Sequence, residues 1–211
     1  MSNISQANAF IFRITHIDNV PWILRNGIHC RNSTIRDPNF RTIGNPDLIQ
    51  KRTTRNVQVG QYGNLSDYVP FYFTPFSPML YNIKTGHGVH SVPMSEIVIF
   101  VSSIPKLIET ETPFVYTDRH AYLQTAQFLT DPADLDQIDW TLIASRNFKR
   151  DPNHPDRVER YQAEALVYRN VPVAALKGMA CYDSQARSRL LGIQNDIGVS
   201  LKTVVKREWY F

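Results

Sequence analysis

Cysteine is scarce in this 211-residue chain, where Cys30 and Cys181 are the only two. Two cysteines so far apart form neither a zinc spacing nor a disulfide framework, and both are expected to act as small buried apolar residues. His87 and His90 lie three apart, but no third ligand accompanies them, so no metal site is expected. Long apolar runs are missing too. The longest, Ile97 to Val101, falls far short of the roughly 20 residues that span a bilayer. No basic stretch followed by an apolar one opens the sequence, which leads to the expectation of a cytoplasmic protein without a secretory leader. A glycine-rich phosphate fingerprint and a Walker lysine are both absent, which argues against a Rossmann dehydrogenase and a P-loop enzyme.

Lysine and glutamate are also few. Of 23 cations, 7 are Lys and 16 are Arg, and Glu occurs only 6 times. Arginine's planar fork suits phosphates and stacking on bases, so a bias towards it points to a polyanion partner. The net charge of +4 is unevenly placed. Residues 1–100 carry 9 cations and 5 anions, whereas residues 101–211 carry 14 of each. The stretch Arg31 to Arg55 holds six cations against Asp37 and Asp47. A solvated basic face is the plain explanation, and a site for nucleic acid or a dinucleotide pyrophosphate is the sharper one.

What is present is enough for a core: 43% hydrophobic and 11% aromatic residues exclude a disordered chain. β-Branched and aromatic residues over 9–16, 69–74, 97–102, 114–116 and 163–168 read as strands, with further ones at 178–182 and 202–206. Pro70 favours the first residues of its strand or an edge position. Asp18, Asn45 and Ser77 are expected to start helices, each followed by a proline, and Gly27 and Gly86 to stop two of them. Helices are also expected over 120–129, 134–143 and 183–191, and Asn147 to Arg160 reads as an exposed charged loop. Irregular connections without steady β–α alternation predict an α+β fold in a single domain, 1–211.

Glu164 stands out among the carboxylates. It begins an otherwise apolar strand, Ala163-Glu164-Ala165-Leu166-Val167-Tyr168, although Glu is depleted in strands and rarely buried without a partner. It is either a cleft carboxylate or a solvent-facing residue on an edge strand. Arg13 likewise interrupts the first strand, and alternation puts Arg13 and Thr15 on one face and Ile14 and His16 on the other.

The order of several blocks resembles a known family. These blocks are Arg13-Ile14-Thr15-His16-Ile17-Asp18-Asn19, Val20-Pro21-Trp22-Ile23-Leu24, Asn45-Pro46 through Lys51-Arg52, Asp67-Tyr68-Val69-Pro70-Phe71-Tyr72-Phe73, Ser77-Pro78-Met79-Leu80-Tyr81 and Arg160-Tyr161-Gln162-Ala163-Glu164, closing with Val-Lys-Arg-Glu-Trp-Tyr-Phe at 205–211. Together they are similar to the DarT toxins, bacterial DNA ADP-ribosyltransferases. The resemblance implies an ADP-ribosyltransferase fold of the poly(ADP-ribose) polymerase kind, with a split mixed β-core and short helices. It implies a transferase, glycosyl or nucleotidyl in class, that uses NAD as co-substrate and modifies a base, thymine above others, in single-stranded DNA. A macrodomain antitoxin that reverses the modification is the implied partner, and a monomer is expected. The catalytic pair maps onto Arg52 and Glu164, with Arg55 as the alternative arginine. The NAD-binding positions map onto Arg13, Ile14, Thr15, Trp22, Cys30 and Arg52. Many members have His where this chain has Arg13, and Trp22 replaces a common glycine. The loop before Glu164 is where related transferases recognise substrate, so Arg146, Lys149, Arg150, Arg157 and Arg160 are expected to contact DNA.

Overall fold

The computed structural model describes residues 4–211. In chain order its elements are β1 (Phe10–His16), α1 (Val20–Asn26), β2 (Ile28–His29), α2 (Pro46–Lys51), β3 (Tyr68–Tyr72), α3 (Pro78–Thr85), β4 (Ile97–Ser103), α4 (Ile104–Glu109), β5 (Phe114–Thr117), β6 (Phe128–Leu129), α5 (Trp140–Ser145), α6 (Arg157–Tyr161), β7 (Glu164–Tyr168), β8 (Asn170–Val171), β9 (Gly178–Cys181), α7 (Ser184–Ile197) and β10 (Thr203–Val205). Eight strands form one mixed sheet in the order β10-β9-β4-β1-β3-β7-β5-β6, and β2 pairs with β8 apart from it. The expected α+β architecture is what the chain adopts.

The sheet is split between β1 and β3. β1 and β4 pair along their whole length, from Phe10 opposite Ser103 to His16 opposite Ile97. β3 and β7 pair from Tyr68 opposite Tyr168 to Tyr72 opposite Glu164. Between β1 and β3 only Phe12 and Tyr72 are in register. Pro70 explains the opening. Its carbonyl faces β1, where it accepts a hydrogen bond from Arg13 Nη1 at 2.9 Å, so its missing N–H faces the gap as well. β7 on the other side loses no ladder bond. Pro70 therefore sits mid-strand in the sheet interior, not at a strand start or edge as expected, because a split sheet tolerates a missing donor on that side.

Alternation along the strands gives the sheet two apolar faces. On one, Ile11, Phe71, Val98, Phe100, Ala165 and Val167 pack with Val20, Ile23 and Leu24 of α1 and Ala186 and Leu190 of α7. On the other, Phe12, Ile97 and Ile99 pack with Leu80 and Ile83 of α3 and with Trp209 and Tyr210. The C-terminal segment is thus a core element, and Tyr210 Oη donates to the carbonyls of Ile97 and Ala180, both at 3.0 Å.

Capping explains most helix starts. Asn45 Oδ1, Ser77 Oγ and Asp183 Oδ1 accept the amides of Leu48, Leu80 and Ala186 at 3.0, 3.2 and 2.8 Å, each stabilising by about 1 kcal/mol. Asp18 does not cap α1. His16 Nδ1 instead accepts the Asp18 amide at 3.1 Å and starts a short 3₁₀ turn, which frees the Asp18 carboxylate for Arg41 and Arg189, each at 2.6 Å. Residues 120–129 are not helical: turns lead into β6. The expected helix over 134–143 is a 3₁₀ segment, Pro132–Gln137, followed by α5. The expected 147–160 loop ends in α6, and the helix expected at 183–191 runs on to Ile197. At the end of α1, Gly27 has φ 82°, and a Cβ there would lie 2.5 Å from the Val171 carbonyl oxygen. Glycine lets β2 leave α1 and meet β8 at that point.

Candidate active site

The split in the sheet opens into a cleft of about 610 Å³. Its floor is made by β1, β3 and the start of β7. Its cover is the chain from Cys30 to Arg52, which crosses the gap with one short helix, α2, that buries none of its own residues. Arg13, Ile14, Thr15, Trp22, Cys30, Arg52 and Glu164, drawn from five separate stretches of sequence, all line this one cleft.

Glu164 lies on β7, an interior strand, and is 3% exposed, which rules out the solvent-facing edge position. Its Oε2 accepts a hydrogen bond from Arg52 Nη1 at 2.9 Å. Its Oε1 accepts one from the Ala121 amide at 3.1 Å and lies 3.2 Å from His120 Nδ1. Burial alone would raise its pKa. Arg52, His120 and the amide overcome that and draw it down to about 2, so the carboxylate is ionised at neutral pH.

Arg52 is the residue that ends α2, and its side chain is 12% exposed. Its second terminal nitrogen, Nη2, is buried without a hydrogen-bond partner. An unsatisfied charged donor in a cleft is costly unless a ligand accepts from it. Of the two candidate arginines, Arg52 lines the cleft and meets Glu164, and Arg55 does neither. Arg55 turns away from the cleft, donates to the carbonyls of Ala121 and Leu123 and to Gln124, and stacks on Phe128 at 5.4 Å. It ties the 121–128 turns in place, and these turns carry the amide that meets Glu164.

Arg13 adds a second cation. Burial, then repulsion by Arg52, lowers its pKa to about 10, which still leaves it protonated at neutral pH. Tyr72, directly opposite Glu164 across β3 and β7, has its phenol pushed far up by burial and by the Glu164 charge, so it stays neutral. With one carboxylate against two arginines, the cleft carries a net positive charge that attracts an anion.

The cover is pinned to the β1–α1 turn. Asn19, fully buried, donates from Nδ2 to the Arg41 carbonyl at 2.9 Å and accepts the Arg41 amide on Oδ1 at 2.8 Å. The same Nδ2 donates to Thr15 Oγ1 at 3.0 Å, joining the cover to a cleft residue. Asn19→Ala is expected to release this clamp and raise amide exchange at Arg41 at least tenfold, while amides of β4 keep their protection; hydrogen exchange followed by mass spectrometry reads both.

Two residues of this site escaped sequence reasoning. His120 fell inside a stretch expected to be helical, and Asn19 carried no chemical signature beyond its place in the first block. Its spacing of four from Thr15 was the one available signal.

The five basic residues expected on DNA lie outside the cleft and separate into two sets. Arg157 pairs with Asp151 at 2.7 Å, and Arg160 pairs with Asp139 and with Asp156. These are internal braces. Arg146 sits over the Phe76 ring at 4.5 Å, and Lys149 and Arg150 are exposed. None of these three is in an ion pair among the described residues. No group of three or more His, Cys, Asp and Glu among those residues is arranged to hold a metal, and no helix is long and apolar enough to cross a membrane.

A buried ion pair and a second buried arginine at a cleft in a split mixed sheet suit an anionic ligand. Comparison with known proteins says which kind. The family model described as ssDNA thymidine ADP-ribosyltransferase, DarT, matches residues 12–211. A DNA ADP-ribosyl transferase of Escherichia coli O127:H6 is 46% identical over all of this chain and 97% of its own length. Among solved structures, Thermus sp. 2.9 DarT in complex with ADP-ribosylated ssDNA superposes with a TM-score of 0.90 at 33% identity, covering 97% of both chains. The same Thermus protein in complex with NAD+ gives a TM-score of 0.84 at 33% identity, covering 97% of this chain and 98% of that one. The chain belongs to the DarT family of DNA ADP-ribosyltransferases, as its sequence blocks imply. ADP-ribosyl transfer remakes a bond at a ribose carbon and leaves phosphorus untouched, so nucleotidyl transfer has no support.

Proposed function

We propose that this protein transfers ADP-ribose from NAD to thymine in single-stranded DNA in a sequence-dependent way, with Glu164 and Arg52 as the catalytic residues. The observation that carries this reading is the buried Arg52–Glu164 pair on the cleft floor, with Arg52 Nη2 unpartnered. The residues present suit NAD. The cleft volume of about 610 Å³ lies within the range of cofactor sites. Arg13 and Arg52 offer charge to the pyrophosphate, and Ile14, Thr15, Trp22 and Cys30 offer a mainly apolar wall to the rings. The relatives solved with NAD+ and with modified ssDNA support the same assignment.

The chemistry follows from the charges. When the ribose–nicotinamide bond breaks, its electron pair leaves with nicotinamide and positive charge develops on the sugar, as in glycoside cleavage. The Glu164 carboxylate, held ionised, stabilises that charge. The new bond forms between the ribose carbon and thymine N3, whose proton passes to water. Arg52 stabilises the resulting negative charge on the base electrostatically, since a guanidinium that stays protonated is a poor proton acceptor. His120 and the Ala121 amide hold Oε1 so that the carboxylate cannot rotate.

Arg146, Lys149 and Arg150 supply phosphate contacts for the DNA. Replacing Lys149 and Arg150 together by Ala is expected to weaken ssDNA binding and to flatten its salt dependence by roughly one unit of log–log slope per residue, read by fluorescence anisotropy across a salt series. Arg157 and Arg160, already braced by Asp151, Asp139 and Asp156, hold the loop's shape and reach DNA through it. We place the enzyme as a single-domain, monomeric, cytoplasmic toxin whose mark a macrodomain antitoxin removes. Incubation with labelled NAD and separate DNA, RNA and protein acceptors tests the assignment. Label on single-stranded DNA is expected, and label on protein alone would overturn it.

A further inference from the structure

An aromatic cluster stands outside the cleft. Phe211 meets Phe76 at 4.6 Å and Tyr81 at 5.2 Å, and Phe148 meets Tyr161 at 5.2 Å and both Tyr81 and Phe211 at 6.0 Å. Its members come from the β3–α3 connection, α3, the basic loop, α6 and the C-terminus. Tyr81 is 43% exposed, which makes it one of three aromatic side chains among the most exposed apolar groups.

Its position is tied to the catalytic pair. Tyr72 and Glu164 are opposite each other, at the end of β3 and the start of β7. Phe76 follows Tyr72 by four residues and Tyr161 precedes Glu164 by three, and Tyr161 Oη donates to the Phe76 carbonyl at 3.0 Å. Three residues of chain span at most about 10 Å, so the cluster lies just beyond the strand ends that carry Glu164. Arg146, fixed in a left-handed conformation at φ 56°, holds its guanidinium over Phe76 at 4.5 Å. Lys149 and Arg150 follow Phe148 on the same loop. Rings beside unpaired cations match a nucleic-acid strand, whose bases stack on aromatics while its phosphates meet cations.

We propose that Tyr81 and Phe148 form a stacking subsite for a base that neighbours the modified thymine in single-stranded DNA. This rests on the ssDNA reading of the function and assigns the subsite within it. The strand runs from the cleft mouth over the start of β7, and one unpaired base lies against Tyr81 while Arg146, Lys149 and Arg150 hold its phosphates. Only a single strand can offer such a base, because in a duplex it is already stacked on its neighbours.

Transfer onto a short thymine-containing oligonucleotide tests this, with each flanking position made abasic in turn. With the wild type, one abasic position is expected to raise KM for the oligonucleotide about tenfold, in line with the loss of one base–aromatic stack. Tyr81→Ala is expected to raise KM similarly on the intact oligonucleotide and to add nothing on that abasic one, while Tyr81→Trp restores it. KM for NAD is expected to be unchanged in each variant, which also shows that the fold survives. Phe148→Ala gives the same pattern if it folds, and Tyr81 carries the test if it does not. Equal KM for wild type and Tyr81→Ala, or additive losses from the variant and the abasic site, would overturn the subsite alone. Absence of any transfer to DNA by the wild type would overturn the functional reading and the subsite with it.

Discussion

Glu164→Gln is expected to slow ADP-ribose transfer by about 10²–10³-fold or more, the loss seen when one group that stabilises transition-state charge is removed. The amide keeps the size of the carboxylate and an oxygen for Arg52, so the cleft is preserved while the charge is lost. Binding of NAD is therefore expected to survive, and the loss to appear in kcat. The pH behaviour follows from the same contacts. Glu164 is shifted from 4.5 down to about 2, so its folded pKa lies below its unfolded one. Its contribution to stability is complete above pH 4.5 and is lost as the pH falls towards 2. Between pH 5 and 8 the carboxylate does not titrate, and no acidic limb in the kcat profile is expected to belong to it. A limb in that range that vanished in Glu164→Gln would contradict the assignment.

Removing Arg52 has a second consequence. Arg52→Ala leaves Glu164 buried opposite His120 with its main counter-charge gone, and breaking a buried pair from one side costs about 3–5 kcal/mol. The variant is expected to lose activity and to unfold at lower temperature, and part of the loss comes from a raised Glu164 pKa. Arg52→Lys keeps the charge but not the planar fork, so it is expected to recover stability and little activity. Thermal unfolding and label transfer measured on both variants separate these effects. Full activity in both would remove Arg52 from the mechanism. Arg55→Ala should instead act through the 121–128 turns, loosening the Ala121 amide on Glu164, with a smaller loss.

The sequence carries this site unevenly. Glu164 is singled out on its own as a lone acidic residue at the head of an apolar strand, but the pattern leaves a solvent-facing edge position open until its burial excludes that. Its partner is not legible, because Arg52 and Glu164 are 112 positions apart with no periodicity that fixes their meeting, and only the family resemblance singles Arg52 out. The geometry puts Arg52 in the cleft and turns Arg55 to the carbonyls of Ala121 and Leu123. Pro70 is misread from local rules because a strand's rank in a sheet is a tertiary property. The split at Arg13 makes its missing donor harmless. Residues 120–129 have helical composition, yet Arg55 and Glu164 both take backbone groups from this stretch, and those tertiary bonds outweigh a weak local propensity. Of the five basic residues before Glu164, charge counting cannot tell the braced Arg157 and Arg160 from the unpaired Lys149 and Arg150, since which cation each of Asp139, Asp151 and Asp156 meets is fixed by the loop's fold.

Mass spectrometry of a single-thymine DNA oligonucleotide after incubation with NAD, for wild type and Glu164→Gln side by side, tests the central claim most directly. One ADP-ribose on the thymine nucleotide with wild type, and none with the variant under the same conditions, is the predicted result. Equal modification by both proteins, or ADP-ribose on a nucleotide other than thymine, would contradict the account.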